Sequence, residues 1–241
     1  MTLKRNFKLA LKKTFPRPVY KYLERKNKYL GERNKILNFL EVDVLFDVGA
    51  NVGLYGHSVR HHGFRGKILS FEPQKNAFDK LKDLSSGDGL WSVFNYGLGS
   101  ENSSAKINIS ANSVSSSILK SGSNLQDICP DADYIGTETI EIKRLDEVAA
   151  EICKPEDNFF VKVDTQGFEL QVVQGAGKVL DQIVGFQLEM SLIELYQGEK
   201  TILEIINYMD EIGYRIATIE PGWNDPKTGF AMQLDGIFVK K

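Results

Sequence analysis

Short apolar runs alternate with segments of helical periodicity along most of this chain. The apolar runs are rich in β-branched and aromatic residues and are bounded by polar or turn residues, which is typical of strands. The predicted strands are 42–48, 68–71, 91–96, 159–163, 184–188, 214–219 and 236–239, and the predicted helices are 53–62, 76–84, 168–173 and 201–212. Strands that alternate with helices predict a mostly parallel sheet covered on both faces.

Residues 105–146 break this alternation. Segments 106–109 and 139–143 alternate like half-exposed strands, and a serine-rich stretch at 113–117 lies between them. A connection of this length inside a compact domain is typical of an active-site lid or binding loop, and a mobile surface excursion is the alternative.

The first 35 residues differ in charge from the rest. They hold twelve Lys or Arg and two Glu, whereas the whole chain has a net charge of −2, so the remainder is acidic. We divide the chain into a basic helical arm, residues 1–40, and an α/β domain, residues 41–241. In the arm we predict one helix that ends before Pro16 and a second over about residues 19–40. The arm could contact an anionic membrane through residues 1–35, and packing on the chain's own acidic domain is the alternative. No nucleic-acid partner is expected.

Composition fits one globular domain. A chain of 241 residues with 42% hydrophobic content can bury one substantial core. The sequence holds no apolar run of membrane-spanning length and no secretory signal at its start, so we expect a cytoplasmic protein, with peripheral membrane contact left open. Cys129 and Cys153 follow no metal-binding or redox spacing and are expected to be reduced.

The strongest chemical motif is the turn that follows the first predicted strand. Gly49 and Gly53 would let a ligand approach the backbone, and the amides at a helix start favour a carboxylate or phosphate. Dinucleotide folds carry G-x-G-x-x-G, whereas these glycines are four apart and follow Asp47, which suits a cationic ligand. This pattern favours S-adenosylmethionine, which carries an ammonium and a sulfonium; an ordinary strand-to-helix connection is the alternative.

A carboxylate also ends the second predicted strand. Glu72 lies 25 residues after Asp47, where an acid can accept hydrogen bonds from both hydroxyls of a ribose. It therefore predicts an adenosine-type ligand without choosing between S-adenosylmethionine and a nicotinamide cofactor. A helix N-cap or a surface carboxylate is the alternative.

Two further acids end the fourth and fifth predicted strands. Ligands of open α/β sheets bind beyond the carboxyl ends of the strands, so Asp164 and Glu189 should face the crevice of Asp47. Methyl transfer from a sulfonium requires a positioned acceptor and removal of its proton, which makes these acids candidate bases. A structural ion pair is the alternative for each. A shared divalent metal stays open, but no metal ligand is predicted, since His57 and His61 lack a third ligand.

These motifs in this order resemble the FkbM family of methyltransferases. The resemblance rests on segments 46–53, 71–73 and 162–169, with Gly175-Ala176 and the closing segment 235–239, and it spans roughly residues 43–240. It implies a class I, Rossmann-like methyltransferase fold, which is a three-layer sandwich around a seven-stranded, mostly parallel sheet with an antiparallel last strand. It also implies O-methylation of hydroxyls on sugars or other natural products. Gln166 stands where members often carry Glu.

The sequence thus predicts an S-adenosylmethionine-dependent O-methyltransferase. Its predicted cofactor contacts are Asp47, Gly49, Ala50, Asn51, Gly53, Glu72, Pro73, Gly97, Leu98 and Asp164. Its predicted catalytic residues are Asp164 and Glu189, and its predicted acceptor-binding residues are Ser116, Gln166, Glu169 and Trp223. The competing hypotheses are an NAD(P)-dependent oxidoreductase and a non-catalytic module that binds membrane or nucleic acid through the basic arm.

Overall fold

The computed structural model describes residues 31–112 and 114–241. Residues 31–39 are helical, here α1, and Leu37 on this helix is buried. The rest of the predicted arm, including the helix expected before Pro16 and the start of the one expected from residue 19, lies outside the described residues. Ser113 of the serine-rich stretch does as well.

Ten strands and six further helices follow α1 in the described residues. The strands are β1 Val44–Val48, β2 Lys67–Phe71, β3 Trp91–Phe94, β4 Gly97–Gly99, β5 Ser103–Ser110, β6 Tyr134–Arg144, β7 Phe159–Val163, β8 Ile183–Ser191, β9 Tyr214–Pro221 and β10 Gln233–Lys240. The helices are α2 Leu54–His61, α3 Lys75–Ser85, α4 Ser123–Ile128, α5 Leu145–Ile152, α6 Glu169–Gln174 and α7 Ile202–Glu211. The strands predicted from the apolar runs are confirmed with small changes at their ends; helices α4 and α5 were not predicted.

Seven strands form the central sheet, in the order β3-β2-β1-β7-β8-β10-β9. The pairs β1–β2, β1–β7, β2–β3 and β7–β8 are parallel, and β10 runs antiparallel to both β8 and β9. This confirms the predicted mostly parallel sheet with an antiparallel last strand. Because the parallel strands end at one edge, the turns after β1, β2, β7 and β8 meet there.

Helices cover both faces of this sheet, as the alternating pattern predicts. One face of β1 presents Leu45, which packs with Leu37 of α1 and Val59 of α2. The other face presents Phe46, which shares a cluster with residues of α5, α6 and α7. The central strands are apolar on both sides because both sides are buried, which gives a three-layer sandwich.

Strands β4, β6 and β5 form a second sheet of three strands. The segments predicted as half-exposed strands, 106–109 and 139–143, are confirmed as parts of β5 and β6. Ile107, Ile140 and Ile142 are buried and pack with Phe168, next to the turn after β7. The region that breaks the strand–helix alternation is therefore a folded subdomain beside the carboxyl edge of the main sheet.

Candidate active site

A cavity of about 1180 Å³ opens at the carboxyl edge of the main sheet. We call its two parts the β1 half and the β8 half. The β1 half is lined by Gly49, Ala50, Asn51, Glu72, Pro73, Gly97 and Leu98. The β8 half is lined by Arg33, Tyr55, Ser116, Lys162, Asp164, Gln166, Gln187, Glu189, Tyr196, Trp223, Gln233 and Asp235.

The turn after β1 is wound tightly against the turn after β7. Gly49, Asn51 and Gly53 all have positive φ angles, of 70°, 49° and 85°. A Cβ atom at Gly49 would lie 1.9 Å from the carbonyl oxygen of Asp164. Glycine is therefore required at this position by the packing of two backbone turns, in addition to any ligand.

Glu72 holds the β1 turn from the end of β2. It is 3% exposed, its Oε2 accepts a hydrogen bond from the backbone N–H of Asn51 at 2.8 Å, and its Oε1 accepts one from Gln74 at 2.9 Å. Burial raises the pKa of Glu72 to about 7, although the two backbone hydrogen bonds oppose that shift. Each carboxylate oxygen has capacity for a second donor, so this residue can serve both the turn and a ligand.

Lys162 and Asp47 form a buried ion pair beneath the turn. Asp47 is fully buried, and Lys162 Nζ lies 3.1 Å from its Oδ1 and 3.8 Å from Asp164 Oδ2. The same ammonium donates a hydrogen bond to the carbonyl of Gly49 at 3.0 Å. Burial alone would lower the pKa of Lys162, but the two carboxylates outweigh it and hold the pKa above its ordinary value. The ammonium thus stays charged and ties the β1 turn to β7.

Gln166 joins the two carboxylates at the ends of β7 and β8. Its Nε2 donates to Asp164 Oδ1 at 2.8 Å and to Glu189 Oε2 at 2.5 Å. Its Oε1 accepts a hydrogen bond from the hydroxyl of Tyr196 at 2.7 Å, and Gln233 donates to Glu189 at 2.9 Å. The backbone of Gln166 has a positive φ of 57°. A neutral amide therefore keeps two acids close to one another.

The deeper wall of the β8 half is a second polar network. The hydroxyl of Tyr55 donates to Gln187 Oε1 at 2.9 Å, and Gln187 Nε2 donates to Asp235 at 3.3 Å. The guanidinium of Arg33 lies 4.8 Å from the centre of the Tyr55 ring and donates to both carboxylate oxygens of Glu220. Burial alone would lower the pKa of Arg33. Its electrostatic interactions with Tyr55 and Glu220 outweigh burial and hold the pKa above its ordinary value, so the residue stays a cation.

The cavity brings together most of the residues predicted for the site. The predicted residues that line it are Gly49, Ala50, Asn51, Glu72, Pro73, Gly97, Leu98, Ser116, Asp164, Gln166, Glu189 and Trp223. The roles assigned to them stay predictions. Ser116 enters from the β5–β6 connection, so the segment expected to be a lid or a surface excursion contributes a wall of the cavity.

Three of the predicted residues do not line the cavity. Asp47 lies behind Lys162 with no exposed surface, so its carboxylate faces an ammonium of the protein and not the cavity. A Cβ at Gly53 would lie 2.7 Å from Leu81, so this glycine faces the core under α3. Glu169 accepts hydrogen bonds from the backbone N–H groups of Thr165 at 2.8 Å and Gly167 at 3.0 Å, which makes it a clamp for the turn after β7.

Sequence reasoning missed residues that supply neutral donors and cations to the cavity, and it also missed the acid Asp235. One signal was available, because Lys162 interrupts an otherwise apolar, fully buried strand. For the others the sequence gives no local signal, since their partners are far away along the chain. The missed residues are Arg33, Tyr55, Lys162, Gln187, Tyr196, Gln233 and Asp235.

The described residues contain no group of three or more His, Cys, Asp or Glu side chains placed to hold a metal ion. In that same part of the chain, none of the helices has the length and apolarity needed to cross a membrane. The predicted role of residues 1–35 at a membrane stays a prediction.

The strand order, the antiparallel β10 and a cavity over β1 and β7 define a class I, Rossmann-like methyltransferase fold. Two solved structures share this fold, each with a TM-score of 0.50. Each match covers 92% of this chain and 82% of the chain in the solved structure. One is a methyltransferase from Thermobifida fusca, with 10% identity. The other is the magnesium protoporphyrin IX methyltransferase of Synechocystis PCC 6803 with bound S-adenosylmethionine, with 7% identity.

The chain belongs to the FkbM methyltransferase family, whose domain model matches residues 47–216. The chain is 27% identical over 176 residues to the hexuronic acid methyltransferase AglP of Haloferax volcanii. That match covers 70% of this chain and 64% of AglP, so this chain matches less than two thirds of that relative.

Proposed function

We propose that this protein transfers a methyl group to a hydroxyl of a sugar, a glycan or another natural product. The observation that carries the proposal is the pair of carboxylates, Asp164 and Glu189, which face the cavity beside the β1 half. A hydroxyl must lose its proton as it is methylated, and a carboxylate within reach can accept that proton. The family membership favours this function over a nicotinamide-dependent oxidoreductase.

The β1 half suits the cofactor in charge and shape. S-adenosylmethionine supplies a methyl group on a sulfonium, together with an adenosine whose ribose has two hydroxyls. Glu72 would accept hydrogen bonds from the ribose, and the backbone of the Gly49–Asn51 turn would face the polar end. Leu98 and Pro73 give this half apolar surface for a flat base.

Gln166 acts as the positioning residue for both acids. Burial raises the pKa of Tyr196, so its hydroxyl stays protonated and donates to the oxygen of Gln166. That hydrogen bond fixes the orientation of the amide, because the hydroxyl donates to the oxygen of Gln166. The NH₂ group of Gln166 therefore points to Asp164 and Glu189. Asp164 borders the β1 half and is proposed as the base, while Glu189 would hold the acceptor by a second hydroxyl.

The acceptor class rests on the chemistry of the β8 half and on one relative. Side-chain amides, hydroxyls and an indole line it, which match the alternating polar and apolar surface of a sugar. AglP acts on a hexuronic acid by its name. This supports a carbohydrate as acceptor, while its identity is left to experiment.

Mass spectrometry tests the proposal. The full chain and S-adenosylmethionine are incubated with a panel of glycosides and glycans, and a mass gain of one methyl group is expected for at least one of them. Treatment with mild base separates the products, because a methyl ether survives and a methyl ester is hydrolysed. An Asp164→Asn variant should lose transfer, and its affinity for S-adenosylmethionine, measured in parallel, separates the loss of a base from the loss of a cofactor contact. Product that is an ester or an N-methyl compound would overturn the proposal.

A further inference from the structure

Three carboxylates lie side by side across the strands that form the β8 half. Asp235 on β10 is directly opposite Glu189 on β8 and directly opposite Glu220 on β9. Side chains opposite each other in an antiparallel pair point to the same face, and like charges placed so repel. Asp235 is 4% exposed and Glu220 is 3% exposed, so water screens this repulsion poorly.

The cations of this half are already engaged by carboxylates. Three Lys or Arg side chains of the described residues line the cavity: Lys80, on α3 after β2, and Arg33 and Lys162, which belong to this half. Arg33 forms a bidentate ion pair with Glu220, and Lys162 forms ion pairs with Asp47 and Asp164. An acceptor with a carboxylate would have to displace one of these acids or bind next to the row of carboxylates. Breaking a buried ion pair leaves an uncompensated buried charge, which is strongly unfavourable.

Neutral groups, in contrast, are plentiful in this half. Gln187 and Gln233 present amides, and Tyr55 and Tyr196 present hydroxyls, all around the same space. Amides and hydroxyls both donate and accept, which is the property that recognises the hydroxyls of an uncharged molecule. The half thus offers hydrogen bonds without offering a cation in need of a partner.

We propose that the acceptor is an uncharged hydroxyl compound and that the β8 half discriminates against a carboxylate-bearing one. This inference rests on the proposed function and names its substrate class. It separates this chain from its relative AglP, a hexuronic acid methyltransferase. Arg33, Glu220 and Asp235, on which it depends, all lie outside residues 47–216, the part matched by the family model.

Pairs of compounds that differ only in charge test the inference. The probes are methyl β-D-glucuronoside, its C6 primary amide and methyl β-D-glucoside, with further hydroxyl acids and their amides as added pairs. Binding is measured by titration into the full chain loaded with S-adenosylhomocysteine, and transfer is measured by mass spectrometry. The amide should bind at least tenfold more tightly than its acid in the pairs that bind. Because the amide and the acid have the same shape, a difference between them reports charge.

The outcomes separate this inference from the proposed function. If no amide binds more tightly than its acid, the inference is overturned, whether or not methyl transfer occurs. Transfer to sugars without a charge preference leaves the proposed function standing and removes the inference. A charge preference in binding without any transfer supports the inference and contradicts the proposed function.

Variants attribute the preference to the residues named. Glu220→Gln releases the guanidinium of Arg33. It should reduce the ratio of the Kd of the acid to the Kd of its amide at least threefold. Asp235→Asn removes one acid of the row while it leaves the Arg33–Glu220 pair in place, and it should reduce the same ratio. This variant still tests the inference if Glu220→Gln fails to fold. Exposed Glu101→Gln is the matched control and should change nothing. An unchanged ratio in folded Asp235→Asn would contradict the assignment.

Discussion

The two halves of the cavity are built in different ways. The β1 half is held by contacts between neighbouring motifs, such as the bond from Asn51 to Glu72, which are 21 residues apart. The β8 half is held by contacts between distant segments, such as Arg33 with Glu220, which are 187 residues apart. A cofactor site of the first kind is carried by one stretch of sequence, whereas an acceptor site of the second kind depends on several separate segments.

The halves also differ in how they stabilise their acids. Glu72 in the β1 half receives backbone N–H donors, whose positions are fixed by the turn itself. Asp164 and Glu189 in the β8 half receive the side-chain amide of Gln166, which substitution can remove without changing the backbone. Changes to the backbone should therefore disturb the β1 half more than the β8 half.

The largest effect is expected from Gly49→Ala in the β1 turn. The added Cβ would lie 1.9 Å from the carbonyl oxygen of Asp164, and neither backbone can move freely. We expect a loss of about 3 kcal/mol or more in the free energy of unfolding, measured by denaturant titration. Gly63→Ala is the matched control, because Gly63 also has a positive φ but no atom lies within 4 Å of its added Cβ. It should cost about 1–2 kcal/mol. Equal losses would show that the contact between the turns carries no weight.

The next effect is expected from Glu72→Gln. The glutamine keeps one acceptor, but its NH₂ group would face the backbone N–H of Asn51 or Gln74, so a donor would meet a donor. Charge-assisted hydrogen bonds contribute about 1.5–3 kcal/mol, so the Kd for S-adenosylmethionine should rise about 10- to 100-fold. Calorimetric titration measures it, with exposed Glu101→Gln as the control. A cofactor affinity equal to that of the wild type would remove Glu72 from the site.

The difference between the halves also explains what the sequence could predict. The strands and the mostly parallel sheet follow from alternating apolar runs, and the β1 turn with Glu72 follows from local motifs, so both were predicted. The ion pair of Asp47 was not predicted because its partner, Lys162, is 115 residues away, and spacing alone cannot reveal that a carboxylate is neutralised inside the protein. The Tyr55–Gln187–Asp235 network joins three separate elements, and no periodicity records such contacts.

A smaller effect, confined to the β8 half, is expected from substitutions of Gln166. Gln166→Ala removes the amide between Asp164 and Glu189, so kcat should fall about tenfold. This is less than the roughly 100-fold or more that an acid–base group itself contributes, because Gln166 positions the base and does not take the proton. The Kd for S-adenosylmethionine should change less than twofold. Gln166→Glu adds a third carboxylate, and at least one of the three must hold a proton, so its activity should recover as pH is lowered. A fall in cofactor affinity as large as the fall in kcat would contradict the separation of the two halves.

The smallest effect is the pH dependence of cofactor binding in the β1 half. Burial raises the pKa of Glu72 to about 7. Ribose hydroxyls donate to the ionised carboxylate, so the affinity for S-adenosylmethionine should fall about twofold from pH 8 to pH 7 and more steeply below.

The stability of the ligand-free protein should change in the opposite direction. The folded protein holds this proton up to a higher pH than the unfolded chain, so the contribution of Glu72 to the free energy of unfolding falls as pH rises from about 4.5 to 7. Calorimetric titrations across this range, with Glu72→Gln as the variant that cannot titrate, measure the first effect. A pH dependence that persists in this variant would assign it to another titratable group. Gln166→Ala should keep the dependence in full, because its substitution lies in the other half.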